Sequence, residues 1–173
     1  VTGGAQVTNY DIQAHNYDVN RHYFLSHYFA DNYDNALSRI PIITSSIQIN
    51  YIEVWVTNRN NAVGNSRNIM GFMDLGENES NAYCSWVLGN SNQFPDNSHT
   101  NLYSDYIRGQ DFCNPNDSRL ELGTDYECLS NARKLNANEF TFHPTLGYIS
   151  LNQSLNNDEV LMVAYEYLSL IHI

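Results

Sequence analysis

Chemistry in this chain would have to rest on its histidines, cysteines and carboxylates, and their spacing supports little of it. His22 and His27 stand five residues apart. Ligands that share one helix face stand three or four apart, so both read as surface histidines. His143 precedes Pro144 and is expected at a strand end; His99 falls in a polar loop and His172 in the tail. The three cysteines, Cys84, Cys113 and Cys128, cannot all pair with one another. Cys113 and Cys128 flank a polar, turn-rich loop that a disulfide could bridge in an oxidising compartment. Three independent thiols fit the sequence equally well. No CxxC spacing suggests zinc, and no cation adjoins Cys113 to favour its thiolate.

The acidic residues are no more specific. They recur at Asp31–Asp34, Asp111–Asp117 and Asp158–Glu159. Calcium loops place oxygens in a D-x-[DN]-x-[DN]-G pattern, which none of these matches. Asp111–Asp117 could supply ligands, but its default is a solvated turn. A hydrolytic carboxylate pair need not be adjacent in sequence, yet nothing singles one out. The G-x-S-x-G, H-E-x-x-H and P-loop patterns are absent. Asn78-Glu-Ser80, Asn116-Asp-Ser118 and Asn152-Gln-Ser154 match the glycosylation triplet, as chance allows in a chain so rich in Asn and Ser. No catalytic, cofactor-binding or metal-ligating residue is assigned, no cofactor is expected, and the expectation is a protein that is not an enzyme.

Charge narrows the partners. Eight Lys and Arg face 19 Asp and Glu in 173 residues, a formal net charge of −11. Nucleic acids need concentrated positive charge, so none is expected as a partner. Docking on an anionic membrane is disfavoured for the same reason. An apolar share of 42% suits a globular domain. The 13 tyrosines suit half-buried strands, where the ring packs and the hydroxyl stays wet.

The elements that would position these residues are mainly strands. Residues 1–18 read as a polar, extended lead-in. Phe24, Tyr28, Tyr33, Leu37 and Ile40 recur at three- to five-residue steps, predicting a helix over 21–38 that Pro41 terminates. Residues 46–58 read as a strand, with Ile47, Ile49 and Tyr51 on one face and Ile52, Val54 and Val56 on the other. Such a strand is central and covered on both sides. After a polar turn, 67–75 reads as a strand returning in a hairpin. Residues 76–131 read as a loop-rich insertion. Phe140 and Phe142 alternate with polar neighbours, 147–151 is a short strand, 155–159 a turn, and 160–167 a strand apolar on both faces. No apolar run reaches the roughly 18 residues of a membrane helix. Membrane-barrel strands carry one apolar and one polar face, so 46–56 and 160–167 read as strands of a water-soluble core.

The expected architecture is one mainly β domain over 19–167, with a minor helical part. Its sheets are antiparallel or mixed and sandwich-like, with one N-terminal helix and long loops. Residues 168–173 form an atypical tail. The chain begins Val1-Thr2-Gly3-Gly4 and ends within an apolar stretch, so a fragment of a longer protein is expected.

Three stretches carry a resemblance. The first is Tyr17-Asp-Val-Asn-Arg-His-Tyr-Phe-Leu-Ser-His-Tyr-Phe-Ala-Asp-Asn-Tyr33. The second is Ile52-Glu-Val-Trp-Val-Thr-Asn-Arg59, with Arg67-Asn-Ile69 and Asp74-Leu-Gly-Glu77. The third joins Ala132–Leu135 and Phe140–Asn152 to Asn157–Val160 and Val163–Tyr167. In order and spacing these stretches resemble the SprA/Sov family of gliding motility proteins, and together they span most of 17–167.

The resemblance implies a parent that is the outer-membrane β-barrel translocon of the type IX secretion system of Bacteroidetes. Such a pore passes folded cargo to the cell surface. The implied partners are the rest of the parent barrel chain, a plug protein, an outer-membrane shuttle barrel and secreted cargo proteins. The implied location is the cell outer membrane or cell surface, on its periplasmic or extracellular face. The family offers no catalytic residues to carry over. Two features depart from it: the ending Leu168–Ile173 and the cysteine-bearing region 84–128. The competing reading is a cell-surface β-sandwich binding module for glycan or adhesin contact. Trp55 and Trp86 are its candidate stacking platforms, although Trp55 is expected to pack in the sheet.

Overall fold

The computed structural model describes residues 13, 17–59, 66–75, 77, 94–95, 113 and 120–170. In chain order its elements are β1 (His22–Phe24), α1 (His27–Asp31), α2 (Tyr33–Leu37), β2 (Ile47–Val56), β3 (Ser66–Phe72), β4 (Tyr126–Lys134), β5 (Phe140–His143), β6 (Tyr148–Leu151) and β7 (Leu161–Ser169). They build two antiparallel sheets, one ordered β1-β6-β5 and the other β3-β4-β2-β7. The fold is mainly β and sandwich-like, as the alternating segments predict.

The core lies where the sheets face each other. Val54 and Val56 of β2 pack with Phe140 of β5 and with Ile149 and Leu151 of β6. Tyr23, Leu161 and Val163 close its margin. A second cluster joins Tyr28 and Phe29 of α1 to Ile47 and Ile49. Ile47, Val54 and Ile149 have no solvent exposure; burying each such side chain stabilises by about 1.5–3 kcal/mol.

β2 is central, as expected, but its faces are not those read from simple alternation. Its register against β7 shifts between Ile49 and Tyr51. An extra residue at a bulge changes the phase of everything after it. Ile52 therefore packs in the clusters of both Ile49 and Val54, on one face. The opposite face carries Tyr51, which is 50% exposed, and Trp55, which is 3% exposed. Trp55 and Met162 are covered there by Leu129 and Ala132 of β4. Only the end of the β2–β7 ribbon around Trp55 and Met162 is thus enclosed on both sides. Further along, Ala164, Glu166 and Leu168 are exposed, which corrects the expectation that β7 is covered throughout. β7 is an edge strand, and it runs through Leu168 and Ser169 into the segment read as an atypical tail.

Other expectations are corrected too. The single helix over 21–38 is a strand and two five-residue helices. β6 recruits His22–Phe24 as a strand. Tyr28 is buried together with Phe29 and Ala36, whereas Phe24 and Ile40 of the expected stripe are exposed. β2 and β3 do not form a hairpin: β4 lies between them. Their connection, 57–65, is longer than the two to five residues typical of hairpin loops. β4 itself begins at Tyr126, inside the stretch read as loops. Its Asn131 has φ 55°, and the Asn131 N–H donates to Asn68 Oδ1 at 2.9 Å across a register shift against β3.

Candidate functional site

A groove of about 1420 Å³ runs along the outer edge of β7. Three edges frame it. β7 supplies consecutive residues from Leu161 to Tyr165, β1 supplies Tyr23 and Phe24, and β3 supplies Arg67 to Phe72. β1 and β3 are edge strands of their own sheets, so the groove is a place where three edges converge.

The direction of the β7 backbone follows from the ladder. The Thr57 N–H donates to the Val160 carbonyl at 3.2 Å, and the Leu170 N–H donates to the Ser46 carbonyl at 2.7 Å. In an antiparallel pair, alternate residues turn their N–H and C=O toward the partner. Even-numbered residues from Val160 to Leu170 therefore face β2, and Leu161 and Val163 direct their backbone groups into the groove. Edge strands usually carry charge or proline against unwanted pairing. Glu166 is the one charged side chain in β7.

One wall is aromatic and charged. The Trp55 ring has the Arg67 guanidinium 5.7 Å and the Lys134 ammonium 5.6 Å from its centroid. Lys134 also bonds to Glu53, whose Oε1 accepts from the Tyr51 hydroxyl at 2.7 Å. The Lys134 bond, with help from Tyr51, holds the Glu53 carboxyl below its ordinary range. Donating that same hydroxyl to Glu53 raises the Tyr51 pKa. At the groove's far end, both Glu77 carboxylate oxygens are shut off from solvent. Burial pushes this carboxyl above its ordinary range, against the Ser26 hydroxyl and the backbone N–H groups of Tyr28 and His27. The Glu77 N–H donates to Asp74 Oδ1 at 3.2 Å.

The residues weighed in the sequence scatter. His22 lies on β1 with its Nδ1 2.8 Å from Ser150 Oγ, while His27 opens α1. His143 ends β5, where its Nδ1 accepts from the Leu146 N–H at 3.1 Å and its ring stacks on Tyr148. Asp158 and Glu159 form a turn paired with Arg59. The Asn152 amide donates to the Asn138 carbonyl at 2.6 Å. Cys113 and Cys128 are joined in a disulfide, which selects one of the two readings of the thiols. Cys84, Trp86, His99, His172, the remainder of Asp111–Asp117 and the triplets at Asn78 and Asn116 lie outside the described residues. Among the described residues no three His, Cys, Asp or Glu side chains cluster as a metal site.

Sequence reasoning missed the groove because its frame comes from Tyr23, Arg67 and Val163, far apart in the chain. The signal that was available is the low charge of 160–167. Backbone groups along an open edge, flanked by apolar walls, suit the binding of an extended chain. Comparison of the sequence with protein-family models and with curated proteins finds no match.

Proposed function

We propose that this chain is a structural domain of a large outer-membrane β-barrel export pore of the type IX secretion and gliding motility kind, and that it performs no catalysis. The observation that carries the reading is how the three SprA/Sov-like stretches assemble. Tyr17–Tyr33 supplies β1 and α1, Ile52–Arg59 and Arg67–Ile69 supply the enclosed half of β2 and part of β3, and Ala132–Leu135, Phe140–Asn152 and Val163–Tyr167 supply the end of β4, β5, β6 and the middle of β7. Distant segments that resemble one family thus build one shared core. The Cys113–Cys128 disulfide suits an oxidising compartment such as the periplasm or cell surface. The glycan-binding alternative loses one of its two platforms, because Trp55 is buried.

The test is the complete reading frame. It should continue into many amphipathic strands of about ten residues, and removal of this domain from it should abolish export of folded cargo to the cell surface. A short secreted protein, or undiminished export, would sink the proposal.

A further inference from the structure

We propose that the Cys113–Cys128 disulfide is a redox latch. It fastens the β3–β4 ribbon over Trp55, and its reduction by a dithiol loosens that ribbon while the rest of the sandwich stays folded. The inference goes beyond the structural reading above and does not need it.

The ribbon stands apart from the main core. Neither the cluster between the sheets nor the cluster beneath α1 includes a residue of β3 or β4. β4 joins β2 through two paired positions, Trp55 with Lys134 and Val56 with Arg133, whereas it pairs with β3 from Ser66 to Phe72. Beyond that root the ribbon is held by packing of Ile69, Leu129 and Ala132 on Trp55 and Met162, with the Arg67 guanidinium over the Trp55 ring. Glu77, beyond β3, adds a non-covalent tie at the start of α1. A unit attached so lightly can open locally, without global unfolding.

The disulfide supplies a covalent tie. Cys128 lies near the start of β4, opposite Met70, and Cys113 lies 15 residues upstream. Between them Leu120 is buried, Leu122 bridges to Tyr126, and the Asp125 carbonyl accepts from the Met73 N–H at 2.9 Å. Closing that loop removes disorder from the opened ribbon and so favours the closed one. Both cysteines are half-buried, within reach of a small dithiol. One sulfur of the dithiol attacks the S–S bond to give a mixed disulfide, and its second sulfur displaces the protein thiol. Two electrons pass to the protein, leaving two protein thiols and one oxidised dithiol.

The experiment uses the whole chain with Cys84→Ser and Trp86→Phe, which leaves one cysteine pair and one tryptophan. Dithiothreitol should raise the titratable thiols from none to two. Iodide quenching of Trp55 should then increase at least about threefold, and the amides of Cys128–Ala132 and Ile69–Phe72 should exchange at least about tenfold faster, while Val54 and Ile149 stay protected. Reoxidation should reverse both changes, and Cys113→Ser should give the loosened ribbon without reductant. The same exchange measurement on the native chain decides the matter if the double variant misfolds. Thiols that titrate without reductant, unchanged quenching and exchange after both thiols titrate, or equal loss of protection at Val54 and Ile149 would overturn the latch. None of these outcomes bears on the parent reading frame, so the two proposals fail separately.

Discussion

At the residue scale, Gly147 and Glu77 carry the sharpest consequences. Gly147 has φ 61°, and a Cβ there would lie 2.0 Å from Phe29 Cγ. Left-handed backbone and overpacking both penalise a side chain. Gly147→Ala should cost about 2–4 kcal/mol in urea unfolding; a loss below about 0.5 kcal/mol would refute the close approach of Phe29. Glu77 makes a pH prediction. Its folded pKa is raised above the ordinary 4.5, so its contribution is fully present below that value and is lost as pH rises through the raised pKa. Glu77→Gln should therefore gain stability relative to the native chain as pH rises. Unfolding at pH 5 and pH 8 measures this, and a difference that shrinks with pH would contradict it.

At the element scale, the bulge in β2 decides which face each side chain takes. Deleting Asn50 should heal the bulge, because Ile49 and Ile52 then stand two residues apart on one face, so Ile47 and Ile49 stay against α1 and unfolding stays cooperative. Loss of the sharp transition, with dye binding to newly exposed apolar surface, would show that the extra residue does not set the phase. The same element explains what was legible. Strands β2, β5, β6 and β7 could be read because β-branched and aromatic residues alternate along them. The two faces of β2 could not, because a phase change at a bulge, with apolar residues passing from odd to even positions between Ile49 and Ile52, reads the same as a strand apolar on both faces. β4 was hidden for a related reason: Tyr126, Leu129 and Ala132 bury at three-residue steps, with Asn131 interrupting the period. The helix over 21–38 failed because β6 outcompeted a weak helical stripe for His22–Phe24.

At the scale of the whole molecule, the two sheets enclose one end of the β2–β7 ribbon and leave the other end open. The groove arises instead from the unpaired outer edge of β7, where it runs between the β1 sheet and β3, and no local pattern announces it. Hydrogen exchange along β7 tests the account most directly. In the isolated chain, the amides of Met162 and Ala164 should exchange slowly and those of Leu161 and Val163 quickly. Protection of Leu161 and Val163, or rapid exchange of Met162 and Ala164, would contradict it.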